Sequence, residues 1–266
     1  MSHSLNTIQQ ILSAKDKKPL SIRTLGSFEV SLDHLIVERK SWGRDKSIQL
    51  IQFLLTNFHR SALHKEKIID RIWEELGTDN DFKVALHGVN KVLNPNKKTR
   101  NDSRFILRQG QTYQLDMANI WLDTFAFQEL IKLGNQCKAD ESSIAVEAYR
   151  QAINLYGGTY LPERIYEDWS SAERERLQLL AMNAHISLAQ HIENDNPDEV
   201  IRLMEKALSI DPLWEDAYRL KMSAFMKNGN RPQAILTYQK CEDILMEELG
   251  VKPLPQTKNL FTQIVR

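Results

Sequence analysis

The stretch that decides the fold is FKVALHGVNKVLNP, at residues 82–95. Its apolar residues recur at helical spacing and share one face, whereas its polar and basic residues share the opposite face. The apolar face holds Phe82, Ala85, Leu86, Val89 and Leu93, and the polar face holds Lys83, His87, Asn90 and Lys91. Such a helix packs one side into a core and offers donors to phosphates or base edges on the other.

A basic loop and a hairpin follow this helix. Two strand-like runs, 104–107 and 112–115, flank the turn at Gln109-Gly110. Between Lys83 and Leu115 the chain has seven Lys or Arg side chains and a single acid, Asp102. A helix with a polar outer face followed by a basic hairpin is typical of a winged helix-turn-helix that binds DNA.

The residues before 82 fit the same fold. Residues 20–38 are rich in β-formers and predict short antiparallel strands, with breaks at Gly26 and at Asp33-His34. Helical spacing follows over 45–58 and 65–76, so the predicted order is small sheet, three helices, hairpin. Residues 1–19 are polar at their start and basic near their end, and they predict a flexible lead-in.

From Asp123 onward only helical patterns remain, over 124–134, 141–156, 166–193, 197–210, 213–228 and 231–248. A 34-residue echo aligns Val200, Met204 and Ala207 with Ala234, Tyr238 and Cys241. A helix-turn-helix unit of that length is the tetratricopeptide period. The sequence therefore predicts an α+β winged helix-turn-helix at 20–122, followed by an all-α tetratricopeptide-like helical repeat domain at 123–266.

Composition limits the function classes. The net charge is zero, but residues 1–125 hold 19 basic and 14 acidic side chains and residues 126–266 hold 16 and 21, so an anionic partner should prefer the first half. No run of about 18 apolar residues and no secretory signal occurs, which predicts a cytoplasmic protein. We find no enzyme motif, no metal-ligand spacing at the two cysteines or at His59 and His64, and no reason to expect a cofactor.

Two sets of motifs resemble one known family. LGSFEV (25–30), Trp42, IDRIW (69–73), VNKVLNP (89–95) and YQL (113–115) resemble the winged-helix domain of response regulators, and above all its variant in the actinobacterial antibiotic regulatory proteins. LP (161–162), YEDW (166–169), ERERL (173–177), ELGV (248–251) and Pro253 are similar to the bacterial transcriptional activator domain.

This resemblance implies a DNA-binding transcriptional activator. Its winged helix would bind promoter DNA, and its binding sites would be direct repeats. The resemblance also implies that the helical domain supports homodimerisation or contacts RNA polymerase or a regulatory protein. The lack of a long apolar run separately predicts that no membrane is involved. Two departures stand out. Many members have an Arg-Leu-Arg pattern in the recognition helix, where this helix has only Lys83, His87, Asn90 and Lys91, and His64 occupies a position where Ser or Thr is usual.

Twelve residues are the predicted DNA contacts. Asn90 is the expected base reader, because its amide matches adenine N6 and N7, and His87 reads a base or lies beside the backbone. The other ten are expected mainly at phosphates or the minor groove: Lys83 and Lys91; Arg104, Arg108 and Gln109 in the hairpin; Lys97 and Lys98 in the loop; Lys65; and Arg44 and Lys46.

Other interpretations stay open at this point. Lys83, His87, Asn90 and Lys91 are also what a merely solvated helical face would show. The protein could be an interaction scaffold in which the helical domain has the function and DNA binding is vestigial. A third possibility is a small-molecule or nucleotide effector in the concave surface of the repeats. Trp42 and Trp73 fit a core, and Tyr166 and Trp169 are expected to fasten the early helices of the second domain.

Overall fold

The computed structural model describes residues 2–59, 62–95, 103–137 and 142–266. The chain forms two compact units. The first, here the winged-helix unit, consists of Gln9–Ala126 and Gly157–Arg176. The second, here the repeat unit, consists of Met1–Ile8, Phe127–Tyr156 and Leu177–Arg266.

The winged-helix unit begins with a small sheet. Strands β1 (Leu20–Arg23), β2 (Glu29–Leu32) and β3 (Leu35–Ile36) pair antiparallel as the sequence predicts. The turn at Asp33-His34 puts both residues at positive φ, 45° and 69°, which Asp and His tolerate better than most side chains. A further strand, β7 (Ile120–Leu122), pairs parallel with β1 and was not predicted.

Three helices and a hairpin follow. The helices are α2 (Asp45–Thr56), α3 (Lys65–Trp73) and α4 (Asp79–Leu93), and the hairpin is β5 (Ile106–Gln109) with β6 (Thr112–Leu115). The short strand β4 (Leu63–His64) extends the hairpin to three strands. These elements confirm the predicted winged helix-turn-helix. His64 is the N-cap of α3, and its ring nitrogen accepts a hydrogen bond from the Glu66 N–H, so it does the work of the usual Ser or Thr.

A single hydrophobic core holds these elements. It includes Leu20 and Ile22 of β1, Ile51 of α2 and Phe82 of α4, all nearly or fully buried, together with Trp42. Helix α4 packs on α2. The approach is close at Gly88, because a Cβ built there would lie 2.2 Å from the Ser47 hydroxyl and 3.0 Å from the Ser47 Cβ.

Residues 157–176 pack into the winged-helix unit although the sequence grouped them with the second domain. The Gly26 N–H donates to the Thr159 carbonyl at 3.0 Å, and the Leu161 N–H donates to the Thr24 carbonyl at 2.9 Å. Gly26 has a φ of +86° and a Cβ there would lie 2.6 Å from the Gly157 carbonyl oxygen, so only glycine fits.

Two aromatic residues of this segment differ from expectation. Trp169 packs edge-on against Phe53 of α2, with ring centroids 5.5 Å apart, and so joins the winged-helix core. Tyr166 is 97% exposed and therefore does not pack between helices as the sequence predicts.

The repeat unit is all-α. After α5 (Asp123–Gln136) come α6 (Ser142–Leu155), α7 (Asp168–Ile192), α8 (Pro197–Ile210), α9 (Glu215–Lys227) and α10 (Arg231–Leu249). The first residues of α5, to Ala126, and of α7, to Arg176, belong to the winged-helix unit. A last helix, α11 (Pro255–Val265), was missed. Its apolar residues are few, and Pro255 at its first position looks like a break in the sequence.

The 34-residue echo is confirmed by packing and by capping. Val200, Met204 and Ala207 are buried, and so are their counterparts Ala234, Tyr238 and Cys241. Asn196 and Asn230, also 34 residues apart, cap α8 and α10 by accepting from the N–H groups of Glu199 and Gln233.

The lead-in is helical and not the loose segment that its polarity predicted. Helix α1 covers Ser2–Lys17. Ile8 is buried and Ile11 and Leu12 are half-buried, so a narrow apolar stripe supports the helix. Over the ranges that the structure describes, no helix is both long and apolar enough to span a bilayer.

Candidate nucleic-acid interface

Helix α4 has the two faces that its sequence predicts. Phe82, Ala85, Val89 and Leu93 are buried, with Leu86 partly so, whereas Lys83, His87 and Lys91 are exposed. The helix starts with a capping box: the Thr78 hydroxyl accepts from the Asp81 N–H at 3.2 Å, and the Asp81 carboxylate accepts from the Thr78 N–H at 3.1 Å. A fixed N-terminus gives the outer face a defined orientation.

Two residues of this outer face escaped the sequence reasoning. Asn80 and Val84 are exposed beside Lys83 and His87, and the Val84 side chain is 37% exposed. Spacing could have found them, because positions 80, 84, 87 and 91 share one face of a helix. An exposed branched apolar side chain there can contact the methyl group of thymine.

Asp79 holds two of the predicted phosphate contacts. Its carboxylate pairs with the Lys65 ammonium and lies 2.5 Å from the Lys83 ammonium. The hydrogen bond from Lys65, and to a smaller extent the one from Lys83, lowers the pKa of Asp79 to about 2. The hydrogen bond to Asp79 in turn raises the pKa of Lys65. A phosphate would therefore have to compete with Asp79 for both lysines.

Replacing Asp79 with asparagine should tighten binding to random duplex DNA about fivefold, because the variant loses an acid that repels the phosphates and competes with them for Lys65 and Lys83. The slope of log K against log salt should also be steeper for the variant than for the wild type, because Lys65 and Lys83 would then contact phosphates. Fluorescence anisotropy at several salt concentrations measures both. Asp243→Asn, at an exposed acid of α10, is the matched control. Unchanged or weaker binding by Asp79→Asn would show that Lys65 and Lys83 do not meet DNA.

Asn90 is already occupied within the protein. Its amide N–H group donates to the Leu86 carbonyl at 3.0 Å, and its amide oxygen accepts from Asn94 at 3.2 Å and from the Ser103 hydroxyl at 3.3 Å. The Asn94 oxygen in turn accepts from the Arg104 N–H at 3.0 Å. This network ties the end of α4 to the start of the hairpin.

The polar side chains of the hairpin differ in the partners that they have within the protein. Arg104 lies 3.5 Å from Asp33, in the β2–β3 turn. Arg108 is exposed, donates to the Gly110 carbonyl at 2.9 Å and lies over the Tyr113 ring, and Gln109 is exposed beside it. The tip of the hairpin is therefore defined by local contacts that leave two planar polar side chains outside.

The two basic residues at the start of α2 point to different roles. Arg44 is the N-cap residue of α2 and is exposed. Lys46 instead donates to the Ile72 carbonyl at 2.6 Å and lies over the Trp73 ring, so it satisfies the C-terminal end of α3. Lys97 and Lys98 lie outside the described residues.

Helix α2, on which α4 packs, is held by Arg164. The Arg164 side chain is 10% exposed; its guanidinium donates to both carboxylate oxygens of Asp45 at 2.8 Å and to the Gln52 amide oxygen at 2.8 Å. The hydrogen bond from Arg164 lowers the pKa of Asp45. Asp45 opens α2, where a negative charge also suits the helix dipole.

A buried carboxylate closes the end of β1. Asp123 accepts hydrogen bonds from the Thr24 N–H at 2.7 Å, the Thr24 hydroxyl at 2.8 Å and the Leu25 N–H at 2.9 Å. Burial raises the pKa of Asp123, and these hydrogen bonds oppose that rise. The described residues contain no cluster of His, Cys, Asp and Glu that could hold a metal ion.

Comparison with known proteins matches residues 122–265 to the bacterial transcriptional activator domain. The chain is 26% identical over 162 residues to regulatory protein DnrI of Streptomyces peucetius, covering 58% of this chain and 57% of DnrI. It is 24% identical over 237 residues to regulatory protein AfsR of Streptomyces coelicolor, covering 86% of this chain and 23% of AfsR.

The fold also has a solved counterpart. EmbR of Mycobacterium tuberculosis, solved in complex with a low-affinity phosphopeptide, superposes with a TM-score of 0.78 at 19% identity, over 94% of this chain and 65% of that one. The chain thus spans 57% of DnrI and 23% of AfsR, and at this identity the likeness to EmbR concerns the fold.

Proposed function

The chain belongs to the bacterial transcriptional activator domain family, and we propose that it is a sequence-specific DNA-binding transcriptional activator whose helix α4 enters the major groove. One observation carries the proposal. The outer face of α4 is exposed and basic and includes the apolar side chain of Val84. Its inner face packs on α2, and a capping box fixes its N-terminus. A rigid helix that presents polar donors is what direct readout of base edges requires.

We assign base contacts to His87 and Val84, and phosphate contacts to Lys83 and Lys91. These four side chains are exposed on one face. Asn90, the base reader expected from sequence, fits better as the tie between α4 and the hairpin, because both ends of its amide already have partners. Specificity then comes from contacts that do not need an arginine-rich helix.

Backbone contacts surround this face in the proposal. Arg108 and Gln109 at the hairpin tip approach the minor groove, and Arg44 approaches the phosphates. Lys65 and Arg104 also contact phosphates in the proposal, after the ion pairs of Lys65 with Asp79 and of Arg104 with Asp33 have broken. Lys97 and Lys98 remain predicted helpers. Such contacts add affinity that falls with salt and carry no sequence information.

The repeat unit supplies the activating contact in this proposal. Stacked helical pairs leave an extended surface for a protein partner, and we assign RNA polymerase or a regulatory protein to it, with a homodimer as the assembly that would occupy direct repeats. The family membership supports this role. The protein would act in the bacterial cytoplasm, at promoter DNA.

Selection of bound duplexes from a random pool tests the function. We expect a recurring motif whose affinity at about 0.15 M salt exceeds that for random duplex by about a thousandfold or more. Binding to all duplexes with equal affinity at that salt would contradict the proposal and favour an interaction scaffold, in which the repeat unit has the function.

A further inference from the structure

A cleft on the winged-helix unit has the features of a ligand site that DNA binding does not use. It has a volume of about 460 Å³ and lies between the end of α2, the outer side of α3 and the start of α7. Volumes of this size accommodate small organic ligands. Every lining residue belongs to the winged-helix unit.

Two cations face this cleft from α3. Lys67 and Arg71 are four residues apart, so they share one side of the helix. Both are exposed, and in the part of the chain that the structure describes neither has an ion-pair or side-chain hydrogen-bond partner. Lys65, two residues earlier on the same helix, is by contrast paired with Asp79. Lys67 and Arg71 are therefore available to a ligand.

The opposite wall, on α7, is largely neutralised. Arg176 donates to both carboxylate oxygens of Glu173, at 2.9 and 2.7 Å. Asp168 is the other acid of the lining. Counting formal charges with His59 neutral gives three cations (Lys67, Arg71, Arg176) and two acids (Asp168, Glu173), a balance of +1. Burial lowers the pKa of His59, which keeps it neutral at pH 7.

An apolar floor completes the site. Phe53 and Trp169 line it with Ala172, and their rings are locked edge-to-face at 5.5 Å. Phe53 is buried and supports the Trp169 ring, which is only partly buried and so offers an aromatic surface to a ligand ring. A guanidinium and an ammonium at the rim suit phosphate or carboxylate.

We propose that this cleft binds a small aromatic anion, with its phosphate or carboxylate on Lys67 and Arg71 and its ring against Trp169, which Phe53 supports from the core. The ligand is a small molecule and not a macromolecule, because the groups converge in a concavity. The proposal stands independently of the proposed DNA-binding function. No side chain assigned to base or phosphate contact lines the cleft.

Titration of the full chain with phenyl phosphate tests the proposal, with benzoate, inorganic phosphate and phenol as the other arms. Isothermal titration calorimetry gives the affinity, and the indole N–H signal of Trp169, assigned with Trp169→Phe, locates the site. We expect saturable binding of phenyl phosphate and benzoate, about tenfold or more tighter than that of phosphate or phenol. Only the Trp169 signal among the five indoles should shift.

Lys67→Ala with Arg71→Ala should weaken phenyl phosphate binding by at least about tenfold, because the variant loses both donors of charge-assisted hydrogen bonds to the phosphate. Arg202→Ala with Lys206→Ala is the matched control, since these exposed cations have the same spacing on α8. The proposal is overturned if no aromatic anion binds saturably, if the double variant binds as the wild type does, or if Lys67 and Arg71 turn out to be needed only for DNA affinity.

Discussion

Replacing Arg164 with methionine is expected to destabilise the winged-helix unit by about 2–3 kcal/mol, because the nearly buried guanidinium is the donor to a buried amide oxygen and the partner of a half-exposed carboxylate. The Gln52 side chain is buried and would lose the donor to its amide oxygen. Asp45 would lose a bidentate partner, although its side chain is 49% exposed and water would offset part of the loss. Methionine fills a similar volume, so the packing change stays small.

Urea unfolding followed by tryptophan fluorescence measures this loss. Four of the five tryptophans, Trp42, Trp73, Trp121 and Trp169, belong to the winged-helix unit. Arg202→Met, at an exposed arginine of α8, should change the free energy of unfolding by less than about 0.5 kcal/mol. If Arg164→Met were equally silent, residues 157–176 would not be an integral part of this unit.

The effect of Arg164→Met should also depend on pH in one direction. Because Arg164 lowers the pKa of Asp45 below its ordinary value of 3.8, the pair stabilises the folded state fully above that value. The contribution is lost as the pH falls through the lower, folded-state pKa. The difference between wild type and variant should therefore be constant near neutral pH and shrink in strong acid.

Gly88→Leu is expected to have an effect of similar size and to abolish tight DNA binding. Any side chain at Gly88 meets Ser47, which is buried in α2, so α4 must move away from α2. Overpacking of this kind costs about 1–3 kcal/mol. The displaced helix would no longer present its outer face correctly, and affinity would fall even under conditions where the variant is folded.

Two further variants isolate the cause. Val84→Leu, on the outer face of the same helix, should leave the free energy of unfolding within about 0.5 kcal/mol of the wild type. Gly88→Ala with Ser47→Ala should be more stable than Gly88→Ala alone, because the hydroxyl that would lie 2.2 Å from the new Cβ is gone. Equal stability of the two would mean that the α2–α4 contact is not what limits residue 88.

Features that depend on neighbouring residues could be read from the sequence. The two faces of α4, the break at Asp33-His34 and the hairpin around Gly110 each rest on a spacing or a turn within a few residues. The 34-residue repeat, in which Val200 corresponds to Ala234, likewise rests on the spacing of small and apolar residues within helices. These signals fix the class of each element and, together, their order.

Contacts between distant parts of the chain could not be read. Arg164 and Asp45 are 119 residues apart, and nothing near either residue distinguishes them from ordinary surface charges. The same holds for β7, whose pairing with β1 joins residues about 100 positions apart in sequence. The close approach of Gly157 to Gly26 depends on the same tertiary packing.

The candidate interface shows the same division. Exposure of Lys83, His87 and Lys91 follows from helical spacing, and the structure agrees. Whether a polar side chain is free to meet DNA depends on partners elsewhere, such as Asp79 for Lys65, the Ile72 carbonyl for Lys46 and Ser103 for Asn90.

The most direct test of the central claim, that the outer face of α4 contacts DNA, is the salt dependence of binding by Lys83→Ala with Lys91→Ala. On the selected duplex, we expect the slope of log K against log salt to become less steep by about 1–2, since each lost phosphate contact removes about 0.9. Lys240→Ala with Lys252→Ala, at exposed lysines of the repeat unit, should leave the slope unchanged. An unchanged slope and affinity in the α4 variant would contradict the account.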